Sequence, residues 1–225
     1  MKRTLLLLFT LTTTAFVNGQ VVKSIGIKGG VSVASQTWHY KSTDLTLKKD
    51  NRIGFYSAIT LEFFKSKYLS LTTDFSYCEK GSTEKIQNTT VDMPEGDGTY
   101  KTYDTKFGYF TLSPMLKGRY ETAHFVPYAL LGLRLDYQLS YKSDFNYQQI
   151  EKDFHKAIFG ANFGIGAEYK IKHLGIFLET QYHYDFTKLM DTPSSANNTG
   201  IEINNRAFII SIGLKYYLKK KEDAK

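Results

Sequence analysis

Leu131-Gly132-Leu133-Arg134-Leu135-Asp136-Tyr137 places an apolar side chain at each odd position and a glycine or a charge at each even one. Successive side chains of a strand leave on opposite faces, whereas on a helix these leucines would scatter around the axis. The stretch is therefore a strand with one apolar face and one face of glycine and charge.

The same alternation recurs in eight segments, 24–34, 53–63, 68–79, 107–119, 126–140, 158–170, 174–186 and 206–217. On the apolar face stand Ile25, Ile27, Val31 and Val33, then Phe55, Ile59, Leu71 and Phe75. Further along come Phe110, Leu116, Phe163, Ile165, Leu178, Phe208, Ile210, Ile212 and Leu214. No ionisable acid or base other than tyrosine is expected on this face. The other face carries Gly26, Lys28, Gly30, Glu62, Asp74, Lys117, Arg119, Arg134, Asp136, Gly164, Glu168, Glu179, His183, Asp185 and Lys215. This pattern predicts an all-β chain, an eight-stranded antiparallel up-and-down transmembrane β-barrel.

Connections alternate in length. Short ones fall near 64–67, 120–125 and 171–173, and long polar ones at 35–52, 80–106, 141–157 and 187–205. In an up-and-down barrel every second connection lies at the same rim, so one rim takes the tight turns and the other the long loops. An even strand count puts both termini at the short-turn rim, the periplasmic side. Residues 1–19 read as a signal peptide, with Lys2 and Arg3 ahead of the apolar run Leu5 to Leu11 and a small-residue exit at Val17-Asn18-Gly19. The barrel domain is then 20–218, followed by a charged tail, 219–225.

Cys78 is the single cysteine, so neither a disulfide framework nor a zinc cluster is available. The formal charge of +7 is spread along the chain and does not suggest nucleic acid. No apolar run after the signal reaches the ~18 residues of a membrane helix. A membrane location would require a closed sheet, because unpaired amides facing lipid cost several kcal/mol each.

Alternation alone leaves open which face meets water, and a soluble lipocalin-like carrier of an apolar ligand is the rival. Three features favour apolar outside. Glycine weakens a solvated strand but suits a narrow lumen filled by small and large side chains. Glu62, Asp74, Asp136, Glu168, Glu179 and Asp185 balance Lys28, Lys117, Arg119, Arg134, Lys170 and Lys215, as an enclosed network requires. Tyr77, Tyr137, Tyr169 and Tyr216 lie towards segment ends, where an aromatic girdle would sit.

Ile25-Gly26-Ile27-Lys28-Gly29-Gly30-Val31, Phe75-Ser76-Tyr77 with Lys80-Gly81, and Ser113-Pro114-Met115-Leu116-Lys117 resemble the PorT-like outer-membrane β-barrel family of Bacteroidetes. So do Pro127-Tyr128, Gly164-Ile165-Gly166-Ala167-Glu168-Tyr169 and Asn205-Arg206. The resemblance runs through the whole chain after residue 19. It implies a barrel in the outer membrane of a Gram-negative bacterium. The family's founding member is tied to protein secretion, a role not carried over here. The ending departs from the usual pattern, since Tyr216-Tyr217-Leu218 is followed by Lys219 to Lys225.

No catalytic set emerges. His183, with Glu179 and Asp185 on the same parity, comes nearest to the triad that a lipid A-modifying enzyme would need, but no serine stands beside it on the lipid-facing side. The five histidines lack ligand spacing, so no metal is expected, and no cofactor. Gly160, Gly164 and Gly166 precede no helix and so form no phosphate loop. Asp92, Glu95, Asp97 and Asp104 make the second long loop acidic without a calcium-binding spacing. Trp38, His39 and Tyr40 fall in the first long loop, as a possible contact surface. Lys28, Glu62, Asp74, Arg134, Asp136, Glu168, Glu179, His183 and Lys215 form the expected lumen network. The expected chain is a monomer with a plugged lumen, surrounded by outer-membrane lipid and lipopolysaccharide and open to a protein partner through its long loops.

Overall fold

The computed structural model describes residues 22–64, 66–89, 98–145, 151–194 and 199–218. The expected signal peptide and the charged tail lie outside the described residues. Among the described residues ten strands form where the sequence pattern predicts eight: β1 (Val22–Tyr40), β2 (Leu45–Lys48), β3 (Asp50–Phe63), β4 (Leu69–Gln87), β5 (Tyr100–Arg119), β6 (Phe125–Ser143), β7 (Ala157–Ile171), β8 (Leu174–Asp185), β9 (Met190–Asp191) and β10 (Ile201–Tyr217). A 3-10 turn spans Glu151–Asp153. No helix among the described residues is long and apolar enough to cross a membrane.

All pairings are antiparallel. β1, β3, β4, β5, β6, β7, β8 and β10 follow one another in the sheet, and β10 pairs back onto β1 from Ser24↔Tyr217 to Tyr40↔Ile201. The sheet thus closes on itself, which removes the free edges that an open sheet would present. The two additional strands are short. β2 pairs alongside the loop end of β1 (Tyr40↔Leu45), and β9 alongside that of β10 (Ile203↔Met190).

Several strands outrun their expected ends because the hydrogen-bond ladder persists after the apolar alternation stops. β4 and β5 remain paired up to Gln87↔Tyr100, through Thr83, Glu84 and Lys85. Much of the expected 80–106 loop is therefore hairpin, though Asp92, Glu95 and Asp97 lie outside the described residues. Trp38, His39 and Tyr40 are likewise in β1 and not in a loop. Pairing with β2 and β10 on either side holds them there, and Trp38 is buried.

Parity sets the faces. Leu133 (52% exposed), Ile165 (67%) and Ile212 (62%) point away from the axis, while Arg134 (1%) and Glu168 (0%) are enclosed. A soluble carrier would reverse this arrangement. The outer face is not free of charge, however: Glu79 and Arg206 share its parity at the loop-end limit of the apolar band. Glu79 pairs with Lys106 and Arg52 there. Tyr169 and Tyr216 stand at strand ends on the turn side, but β4 and β6 continue beyond Tyr77 and Tyr137. Those two sit within longer strands instead.

Candidate functional site

The enclosed face gathers six cations, Lys28, Lys80, Lys117, Arg119, Arg134 and Lys215, with six carboxylates, Glu62, Asp74, Asp136, Glu168, Glu179 and Asp185, all buried. They sort into three tiers along the axis. Nearest the chain termini, Lys215 lies 3.0 Å from Glu62 and 3.1 Å from Glu168, and Lys117 lies 3.7 Å and 3.6 Å from the same two. Arg119 approaches Glu62 at 2.5 Å without hydrogen-bond alignment. Tyr217 Oη donates to Glu168.

In the middle tier Lys28 bridges Asp74, at 2.6 Å, and Glu179. Tyr128 Oη donates to Glu179 at 2.9 Å, and the Gln181 amide donates to Glu179 at 2.8 Å and Asp74 at 3.3 Å. The upper tier is a four-membered ring. Lys80 reaches Asp136 at 2.6 Å and Asp185 at 3.5 Å, and the Arg134 guanidinium bridges the same two carboxylates. The Thr111 hydroxyl, directly across the ladder from Asp136, donates to it at 2.7 Å.

This assembly brings together the nine lumen residues named from the sequence and adds Lys80, which falls within the expected 80–106 loop but is buried in β4. Its signal was available in the parity of Asp74, Ser76 and Cys78, whose next step inward is Lys80. Lys170, counted into the expected balance, is instead half-buried at the turn end and pairs with Glu121 at 3.0 Å. The six-to-six balance survives with Lys80 in its place.

His183 lies among these groups, its Nε2 3.2 Å from Gln181 Oε1 and its Nδ1 without a partner among the described residues. Asp185 and Glu179 are occupied by Arg134, Lys80 and Lys28, so neither orients the imidazole. The arrangement can hold charge in place.

Above the upper tier the lumen becomes neutral and then apolar. Gln36 donates to Asn205 at 2.9 Å and accepts from Ser82 at 2.9 Å and Trp38 at 3.3 Å. Trp38, Phe107, Tyr109, Ile158, Leu189, Met190 and Ile203 then form a buried cluster, covered by Tyr40 and Phe154. His39 is outside this cap, bonded to Thr46 at 3.0 Å. Leu189 and Met190 come from the segment between β8 and β10, whose Asp191 is gripped by Lys41 and by Lys188 at 3.0 Å. Hydrogen bonds from those lysines, Lys41 first, hold the Asp191 carboxyl below its ordinary range, and the Glu202 contact raises Lys188. Between the lower tiers a cavity of about 10 Å³, lined by Asp74, Lys117 and Glu179 among others, has room for about one water.

Solved structures of outer-membrane proteins superpose on this chain. OprG of Pseudomonas aeruginosa superposes with a TM-score of 0.52 at 13% identity, covering 89% of this chain and 99% of that one. The outer membrane protease OmpT of Escherichia coli gives 0.46 at 10% identity (88% and 97%), and outer membrane protein W of the same species 0.43 at 13% (89% and 100%). At such identities the likeness to OprG shows the fold alone. No curated protein matches the sequence. The family model described as outer membrane protein beta-barrel domain matches residues 20–191. With the antiparallel sheet closed on itself, that match over most of the sequence shows that this chain belongs to the outer membrane protein beta-barrel domain family.

Proposed function

We propose that the chain is a membrane-embedded structural or interaction protein of the PorT-like kind and not an enzyme. In this reading β1, β3 to β8 and β10 make an eight-stranded wall in the outer membrane of a Gram-negative bacterium. β2 and β9 are extensions of its outer rim, and both termini are periplasmic. The observation that carries it is the inverted distribution of chemistry, with isoleucine, leucine and phenylalanine exposed and twelve charged groups enclosed. A lipid-facing band of that kind needs hydrocarbon around it, since a soluble monomer rarely exposes a contiguous apolar surface beyond a few hundred Å².

The pairing of Asp185 and Glu179 with Arg134, Lys80 and Lys28 instead of His183 supports a non-enzymatic role, and the three ionic tiers with their aromatic cap support a plug over a pore. The loop end, where β2, β9 and the long connections gather, is the surface a protein partner would meet. The PorT-like assignment rests on the motif series from Ile25-Gly26-Ile27-Lys28-Gly29-Gly30 to Asn205-Arg206.

Membrane fractionation combined with gel mobility of unboiled and boiled samples tests the anchor. Recovery with the outer membrane and a mobility shift on boiling are expected; a chain recovered in the soluble fraction would contradict it. Lipid A analysed by mass spectrometry with and without the protein tests the enzymatic alternative, and no change in acylation is expected.

A further inference from the structure

Two features of one wall, both on the lipid-facing side, coincide along β10. The first is an open apolar cavity of about 810 Å³ between large side chains that include Ile59, Phe75, Phe110, Ile212 and Leu214. Its floor is small because Gly29 of β1 faces outward directly opposite Ser57 of β3. A Cβ placed on Gly29 would meet nothing nearer than the Tyr56 carbonyl at 3.9 Å.

The second is a polar pocket of about 340 Å³ at the loop end, lined by Tyr184, Phe186, Lys188, Glu202, Asn204 and Arg206 among others. It exists because the β8–β10 ladder stops at Arg206↔Tyr184 and β9 resumes only at Ile203↔Met190. In between, Phe186 and Thr187 turn their amides to the Phe159 carbonyl, leaving a gap beside Asn204. Lys188 is compensated by Asp191 and by Glu202 at 2.7 Å. Arg206 is exposed beside the Tyr184 ring, 6.0 Å from its centroid, and no carboxylate among the described residues pairs with it.

Arg206 and Ile212 are both outward residues of β10, six positions apart, a path of about 20 Å at the rise of a strand. At the usual tilt of such strands this is roughly 15 Å of depth, half of a ~30 Å hydrocarbon core. The polar pocket thus sits where a headgroup would be, and the groove where the end of one leaflet's acyl chain would be.

We propose that this wall is a binding site for one phosphorylated glycolipid of the outer leaflet. Its phosphate pairs with Arg206, its sugar hydroxyls meet Asn204 and Glu202, and an acyl chain lies in the groove over Gly29 and Ser57. A glycolipid is favoured over a phospholipid because the pocket offers amide and carboxylate groups, suited to hydroxyls, beside a single uncompensated cation. The site rests on the outer-membrane barrel reading, with the long loops facing out.

The test reconstitutes the chain in nanodiscs of phosphatidylethanolamine containing lipid A, returns it to detergent, and counts retained lipid by native mass spectrometry. One lipid A per chain is expected. Arg206→Glu at the head and Gly29→Phe in the groove should each lower its retention about tenfold, the scale of losing one charge-assisted contact. Ala129→Phe, on the outward face of β6, should leave it unchanged. Retention unchanged in either site variant, equal loss in Ala129→Phe, or phosphatidylethanolamine held in place of lipid A would overturn the proposal. All variants should keep the boiling-dependent mobility shift; a wild-type chain without that shift would contradict the barrel reading itself, and the site with it.

Discussion

Asp136 is the residue on which the upper tier turns, since it accepts from Lys80, Arg134 and Thr111 at once. Removing one member of a buried ion pair leaves an uncompensated charge and costs about 3–5 kcal/mol. Asp136→Ala should therefore lower the urea midpoint of the folded chain in micelles by a corresponding amount. Lys80→Met added to it should recover part of the loss, and an additive double mutant would show that the two do not interact. Asp191 gives a pH-dependent counterpart outside the membrane. Its carboxyl is held below its ordinary value, mainly by Lys41, so the grip is complete above the unfolded pKa and is lost as pH falls through the folded one. Methyl NMR of Met190 should report loosening of the cap below about pH 4, reversible on neutralisation. A spectrum unchanged down to the acid limit of the folded state would argue against the lock. Single residues were also where sequence reading fell short. Lys80 follows the inward parity, yet the polar residues after it look like a loop. Trp38 lies where apolar alternation has already ended, so nothing local tells that the ladder goes on.

At the scale of elements, the adjacent glycines of β1 do opposite things. Gly30 faces inward, where a Cβ would collide with the Ile210 carbonyl of β10, and Gly29 faces out into open space. Gly30→Val should part the β1–β10 seam and abolish the boiling-dependent shift, while Gly29→Phe should preserve it; equal tolerance of the two would contradict the register. On the same seam, Ile212→Lys places a charge near the middle of the apolar band and should cost about 2–4 kcal/mol, read as a lower unfolding midpoint in lipid vesicles. The long strands were legible because both faces carry a signal, apolar on one and glycine or charge on the other. β2 and β9 were not. Leu45–Lys48 is exposed throughout and Met190–Asp191 is too short to show a period, so their pairing comes from the ends of β1 and β10 and not from their own residues.

The whole molecule is a closed antiparallel wall around a filled interior. The turn end is charged, the loop end is capped by Trp38, Phe107, Leu189 and Met190, and the free space between the lower tiers is about one water. Planar-bilayer recordings should accordingly show no stable large openings, and steady conductance of hundreds of picosiemens would contradict a plugged lumen. Overall placement in a membrane was legible from the balance of six acids against six bases on one face, even with Lys170 standing in for Lys80. What the wall binds was not legible, because the pocket beside Arg206 and the groove over Gly29 come onto one wall only when β10 closes onto β1. The orientation of the two faces is tested most directly by methyl NMR in lipid bicelles, with doxyl-labelled lipid and a water-soluble gadolinium chelate as relaxation agents. Strong broadening by the doxyl lipid is predicted for Leu133, Ile165 and Ile212, with Leu130 and Ile209, which face inward, protected from both agents. Protection of Leu133, Ile165 and Ile212 from the lipid label would contradict it.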